Sequence, residues 1–353
     1  MPSTIIRKFR TFAKIIKSRL LTGFFEKSIC FFQKNLQKHA FQLQVTIAEK
    51  GNELYKPEFL DMVESKWAVI FHGKIYNEEC LNFLKVSLKE IRLNSSRIEI
   101  LVSTYEDNFF EELKEFSKTV NFTLVSTEDT GKMPAPYPSS IAQQIHSFAT
   151  GMKALSSTNL ENCMKIRVDQ RVDIYRTIDF IYSYEQNVKQ PGDHGRLWGS
   201  SYNSYERRLL GVSDMFMAGP IKSMQIYWRD TSVPDCVDSY MNLQEKYDNQ
   251  IWSKFIIPET FLAARFLDSL GIDLKLLGEC NYIFWSQYVG VINATHIRQK
   301  WFKTHDWASS NYHSIKWFTS LWTPDFVELT FEKWFLAYGS KSNNRYIEEF
   351  KSI

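Results

Sequence analysis

The strongest constraint on the fold is an alternation that begins at Lys66. Residues 67–71 (WAVIF) form a continuous apolar run of buried-strand length and end in His72-Gly73-Lys74. Leu81, Leu84, Leu88 and Ile91 then recur at helical spacing. Residues 98–104 read as a second strand, a helix follows around 110–116, and 122–125 read as a third strand. The segment 130–138 (TGKMPAPYP) is a loop by its glycine and prolines. Ile141, Ile145, Phe148 and Met152 mark another helix, which leads into a strand that starts at Cys163. Repeated β–α–β units predict an α/β fold, a mostly parallel sheet flanked by helices on both faces. Such a sheet gathers ligands at the C-terminal ends of its strands. His72-Gly73, Ser103-Thr104 and Asp169 all fall at such ends.

The stretch 163–175 (CMKIRVDQRVDIY) carries the densest chemistry. Met164, Ile166 and Val168 alternate with Lys165, Arg167 and Asp169, the period of a strand. Arg171, Asp173 and Tyr175 are expected in the exit loop. Charged groups on an inner strand are costly unless paired or liganded. The pattern fits a structural salt-bridge ladder, and it equally fits a strand end that delivers a carboxylate to a phosphate or metal site.

The N-terminal region has a different texture. Arg7, Lys8, Arg10, Lys14, Lys17, Arg19, Lys27, Lys34 and Lys38 face the single acid Glu26, although the whole chain carries only +3. Ile5, Phe9, Phe12, Ile16 and Leu20 make one apolar stripe at helical steps. A basic amphipathic arm over residues 1–60, suited to an anionic membrane surface, is the expectation. No apolar run approaches the roughly 18 residues of a spanning helix. Cations interrupt every N-terminal apolar stretch, unlike a signal peptide. Cys30, Cys80, Cys163, Cys236 and Cys280 are scattered and never form a CxxC pair, which fits a reduced compartment without structural zinc. The expected location is cytoplasmic, peripheral on the inner face of the cytoplasmic membrane. The near-neutral remainder, without a basic groove pattern, argues against nucleic acid as a partner.

Five segments in order, WAVIFHGKI, ILVSTYED, IAQQIHSFATGMKAL, CMKIRVDQRV and GVSDMFMAGP, resemble the WavE family of lipopolysaccharide-synthesis proteins over about residues 66–290. The family's usual Gln-Gly-Pro-Ile reads His72-Gly73-Lys74-Ile75 here, and its Arg-Gln-Ile reads Gln143-Gln144-Ile145. The resemblance implies a GT-A-like (Rossmann-like) glycosyltransferase that uses a nucleotide-sugar donor. A GT-A-like domain is then expected over 61–290 and an aromatic-rich helical region over 291–353.

Transfer from a nucleotide sugar needs the leaving diphosphate stabilised by a divalent cation or by fixed cationic side chains. Many GT-A enzymes use Asp-x-Asp; this chain has Asp169-Gln170-Arg171. Asp169 is therefore the expected metal or ribose ligand, for Mn2+ or Mg2+. Lys165 and Arg167 are expected to neutralise phosphate, with His72, Gly73, Ser103, Thr104 and Gln144 completing the donor site. Asp214, between glycines and beside an apolar run, and Glu259, in the first turn of a helix that opens at Pro258, are the candidate bases. Each also suits ordinary capping or helix-start chemistry. Tyr282, Trp285, Tyr288, Trp301, Trp307, Trp317 and Trp322 are candidate sugar platforms or packing groups.

The expected acceptor is a lipopolysaccharide core or other lipid-linked oligosaccharide. The alternatives are a sugar nucleotidyltransferase and a membrane-associated carbohydrate-binding protein without catalysis. No glycine-rich loop followed by Lys or Arg stands after the first strand, which weighs against the nucleotidyltransferase.

Overall fold

The computed structural model describes Leu60 and residues 63–134, 140–185, 188, 191–205, 209–246, 258–275, 277–301 and 328–339. The basic arm therefore lies outside the described residues, apart from Leu60.

The strands are β1 (Trp67–His72), β2 (Glu99–Thr104), β3 (Thr123–Ser126), β4 (Asn162–Arg167), β5 (Gln170–Arg171), β6 (Leu197–Ser200), β7 (Phe216–Pro220), β8 (Val289–Ile292) and β9 (Lys300–Trp301). The described helices are α1 (Glu78–Asn94), α2 (Phe110–Val120), α3 (Ile141–Lys153), α4 (Ile174–Glu185), α5 (Ile221–Tyr227), α6 (Val233–Lys246), α7 (Pro258–Ser269), α8 (Leu277–Ile283) and α9 (Phe331–Trp334). Seven strands form one sheet in the order β3-β2-β1-β4-β7-β6-β8. Only β7 runs against the rest, because it pairs antiparallel with both β4 and β6 while every other pair is parallel. The α/β sheet expected from the alternation is present, and the strand and helix positions differ from the expected ones by a few residues at their ends.

Local chemistry sets the boundaries. Asn77 accepts from the Cys80 amide at 2.9 Å and starts α1, satisfying one of the free donors at a helix N-terminus. Asn121, left-handed at φ 55°, ends α2. The exit from β4 differs from the expected loop. Gln170 and Arg171 pair antiparallel with Trp301 and Lys300, and Asp173 accepts from the Arg176 amide at 3.0 Å. Asp173 therefore serves as an N-cap, and Tyr175 lies in the first turn of α4.

The central strands are buried along both faces, since all six residues of β1 are buried. This fits a parallel sheet covered by helices. The C-terminal aromatics extend the same core. Trp334 is buried and donates its indole N–H to the Trp285 carbonyl at 2.9 Å, and residue 290 lies within the edge strand β8. Among the described residues no helix is long and apolar enough to cross a membrane.

Helix α3 approaches the sheet closely at Gly151. A Cβ there would fall 2.7 Å from Ile70 Cγ2 and 3.3 Å from Ser103 Cβ. Gly151→Val should therefore push α3 off β1 and β2 and cost about 2 kcal/mol, the scale of overpacking a core. Urea unfolding measures this, and unchanged stability would contradict the close approach.

Candidate functional site

Chain order reverses direction across the sheet between β1 and β4. The first three strands step outward in one direction, and β4 then returns to the other side of β1. A crevice outside the C-terminal ends of two strands at such a switch point is the default ligand site of an open α/β sheet. A cleft of about 520 Å³ lies there, within the size range of small-molecule sites. Its floor is His72 and Gly73 at the end of β1 and Arg167, Val168 and Asp169 at the end of β4. Lys74, Tyr76, Tyr105, Asp129 and Lys132 come from loops, and Ser140, Gln143, Gln144 and Ser147 come from the start of α3 and the residue before it.

Arg167 and Asp169 define the charge of this floor. Arg167 donates from Nε to Asp169 Oδ1 at 3.0 Å and from a terminal nitrogen to Oδ2 at 2.9 Å. This two-pronged contact is the strongest form of a guanidinium–carboxylate pair. Asp169 is 1 % exposed, whereas the Arg167 side chain keeps 23 % of its surface. Burial opposes the charge of Arg167, but the Asp169 carboxylate outweighs it, and the guanidinium pKa is raised. The pair is thus anchored at its carboxylate and open at its cation.

Gly73 sits at φ +110°, a conformation few L side chains adopt. Its amide donates to Ser103 O at 3.1 Å. Its carbonyl accepts from Thr104 Oγ1 at 2.8 Å. Ser103 and Thr104 are both buried and do not line the cleft; the Thr104 hydroxyl holds the β1 turn.

Lys165, one pleat repeat below Arg167, is fully buried and does not line the cleft either. Its ammonium donates to the Asp214 carbonyl and lies 4.1 Å from the Trp228 ring centroid. Burial, with repulsion from Arg167, outweighs the attraction of Asp214 and Asp169 and lowers its pKa to about 7. Asp214 is buried behind the wall of the cleft, where its Oδ2 accepts from Gln144 Nε2 at 3.0 Å. Glu259, at the start of α7, is buried, accepts from Asn203 and lies away from the cleft. Trp285 packs within the core. Trp307, Trp317 and Trp322 lie outside the described residues.

Sequence reasoning missed the second side of the cleft. Asp129 Oδ1 accepts from the Gly131 amide at 2.9 Å and from Gln143 Nε2 at 2.6 Å. The bond from Gln143, together with that from Gly131, lowers the pKa of Asp129. The loop itself was legible from its glycine and prolines, but nothing local marked Asp129 as part of a site. Tyr76, 52 % exposed, and Tyr105, whose pKa burial pushes up to about 12, complete this side of the lining.

The expected Mn2+ or Mg2+ would find Asp129 and Asp169 as the carboxylates of the cleft. Each oxygen of Asp169 accepts one hydrogen bond from Arg167. No group of three His, Cys, Asp or Glu side chains among the described residues is arranged to hold a metal ion. The charged lining is Lys74, Lys132 and Arg167 against Asp129 and Asp169, which suits an anion better than a cation.

Solved structures with a similar fold include the glycosyltransferase GlyE of Streptococcus pneumoniae, at 12 % identity and TM-score 0.33 over 57 % of this chain and 43 % of that chain. They include the 4-diphosphocytidyl-2C-methyl-D-erythritolsynthase of Anaerococcus prevotii, at 10 % identity and TM-score 0.34 over 66 % of this chain and 89 % of that one. They also include the glucosyl-3-phosphoglycerate synthase of Mycobacterium tuberculosis in complex with Mn2+, uridine-diphosphate and phosphoglyceric acid, at 11 % identity and TM-score 0.29 over 45 % of this chain and 57 % of that chain. The chain thus spans less than half the length of GlyE. No protein-family model and no curated protein matches the sequence. The chemistry of the cleft therefore stands on its own residues.

The buried Lys165 makes a pH-dependent stability measurable. A lysine whose folded pKa falls to about 7 from an ordinary 10.5 binds fewer protons folded than unfolded, so stability should rise with pH across that window. The stability difference between the native chain and Lys165→Met, from urea unfolding at pH 7 and pH 10, should shift in favour of the native chain at the higher pH. A difference that does not change with pH would contradict the burial of a titrating amine.

Proposed function

We propose that this chain is a nucleotide-sugar-dependent glycosyltransferase whose donor diphosphate lies in the cleft between the ends of β1 and β4. The observation that carries this reading is Arg167, fixed by a buried carboxylate and open towards a switch-point crevice that also holds Lys74 and Lys132. Transfer breaks the bond between the sugar anomeric carbon and a phosphate oxygen while an acceptor hydroxyl bonds to that carbon. The electron pair leaves with the nucleoside diphosphate, so negative charge grows on the phosphates. Preorganised cations at that position stabilise the transition state more than the ground state. Arg167 needs no reorganisation to do this, since Asp169 already holds it.

The remaining lining supports the same ligand. Gly73, with no side chain and an unusual φ, lets the end of β1 approach the nucleotide. Tyr76 and Tyr105 offer faces on which a base can stack. Asp214 acts through Gln144, as a positioning residue. The fixed cations supply at the phosphates the positive charge that a divalent cation supplies in many enzymes of this chemistry. The finer assignment, a WavE-type transferase acting on a lipopolysaccharide core or other lipid-linked acceptor, rests on the five ordered segments. The basic arm would hold the domain at the inner face of the cytoplasmic membrane, where such acceptors lie.

Release of nucleoside diphosphate from a panel of nucleotide sugars tests the reading. Turnover with at least one donor is expected, changing little between excess chelator and added manganese. Arg167→Met, if folded, should lower it by on the order of a hundredfold, the scale of losing one preorganised electrostatic contact. No turnover with any donor, or consumption of nucleoside triphosphate instead, would overturn it.

A further inference from the structure

Two carboxylates line the cleft, and they are held in different ways. Asp169 is buried and paired with Arg167. Asp129 is exposed and makes no ion pair among the described residues. It is fixed nonetheless. Its Oδ1 accepts from the Gly131 amide at 2.9 Å, within its own loop, and from Gln143 Nε2 at 2.6 Å, on α3. Anchors on two elements restrict the side chain before any ligand arrives, so that entropy is lost on folding rather than on binding.

Both anchoring bonds end on Oδ1, and Oδ2 accepts none among the described residues. The bonds from Gln143 and Gly131, helped by the charges of Lys74 and Lys132, hold the carboxyl below its ordinary pKa, so it is ionised at neutral pH. A carboxylate repels phosphate and attracts hydrogen-bond donors. Tyr105 stands near it, since the Asp129 charge adds to burial in raising the tyrosine pKa, and Tyr76 adds a smaller part. Asp129 and the two tyrosines therefore share one side of the lining. The phosphates lie over Arg167 in the donor-site reading, and the base and ribose lie on the side of the tyrosines.

We infer that Asp129, held through Oδ1, accepts with Oδ2 a hydrogen bond from the nucleoside part of the donor, a ribose hydroxyl or a base N–H. This deepens the donor-site reading and rests on it: the cations take the phosphates, and one pre-aimed carboxylate oxygen selects the uncharged part of the ligand. A ligand with no donor at that place forfeits a charge-assisted bond.

Asp129→Asn inverts the atom without moving it. The two anchoring N–H groups require an oxygen, so the asparagine amide turns its oxygen to them and places its NH2 where Oδ2 stood. Calorimetric titration in chelator compares uridine, cytidine, adenosine and guanosine diphosphates with inorganic pyrophosphate, which has no nucleoside. The variant should bind the preferred nucleotide roughly tenfold or more weakly. It should hold pyrophosphate at least as tightly, because a negative charge has left the cleft. The 2′,3′-dideoxy form of that nucleotide separates the two sources of donor: the penalty disappears there if a ribose hydroxyl is engaged and persists if a base N–H is. Gln143→Ala, which frees the carboxylate to rotate, should weaken the nucleotide in the same sense and serves if Asp129→Asn does not fold. Unchanged nucleotide affinity in the folded variant, or an equal loss for pyrophosphate, overturns the inference while the donor-site reading stands. So does a penalty that appears only with added manganese, which would assign Asp129 to a cation. Failure of all four nucleotides to bind the native chain overturns both.

Discussion

The floor of the cleft depends on one ion pair, Arg167 with Asp169. A carboxylate that is 1 % exposed, as Asp169 is, is strongly destabilising without a partner. The guanidinium answers it with two hydrogen bonds. The reverse dependence matters as much: a free arginine on a rotatable stem would lose side-chain entropy each time it met a ligand, and here Asp169 has already immobilised it. Stability and preorganisation thus come from the same contact, and the salt-bridge and ligand readings of this strand are not exclusive. Removing Asp169 would leave the floor with a cation that is neither compensated nor aimed.

The sheet supplies the rest of the placement. Strands β1 and β4 are adjacent and in register, His72 opposite Arg167, so the unusual backbone at Gly73 and the charge at Arg167 meet at one edge. Helix α3 lies over the same edge because Gly151 lets it come close, and that closeness brings Gln144 and Ser147 to the cleft wall. Behind the wall, reversed strand β7 follows Asp214, which ties Gln144 through its side chain and Lys165 through its carbonyl. Lys165 stays in this second layer, where its low pKa reflects burial.

Much of this was legible in the sequence and some was not. The apolar runs and helical stripes from Trp67 to Arg167 are long and regular, so the parallel sheet and its strand ends could be read directly. Position within a strand was harder. In a sheet buried on both faces, alternation does not distinguish a residue that reaches a ligand from one that supports the residue that does. Lys165 and Arg167 share a face, yet only the residue at the strand end emerges. Ser103 and Thr104 sit at a strand end too, but Thr104 spends its hydroxyl on the Gly73 carbonyl. Asp214 looked like a base because it stands beside an apolar run, and Glu259 was the second candidate at the start of α7, but the fold buries one behind the cleft and the other away from it. The loop carrying Asp129 and Lys132 was visible only as a turn, since its pairing with Gln143 is a tertiary contact. The partner of His72, Ser147, comes from a helix 75 residues later in the chain, which local pattern does not encode.

A pre-aimed Arg167 should make the cleft prefer a diphosphate. Calorimetric titration of matched nucleoside mono- and diphosphates into the native chain and into Arg167→Met, in chelator, tests it most directly. The diphosphate should bind the native chain at least about tenfold tighter than the monophosphate, as expected for one additional charge-assisted contact, and the advantage should vanish in the variant. Equal affinity for the two nucleotides in the native chain, or an advantage that survives the loss of Arg167, would contradict it.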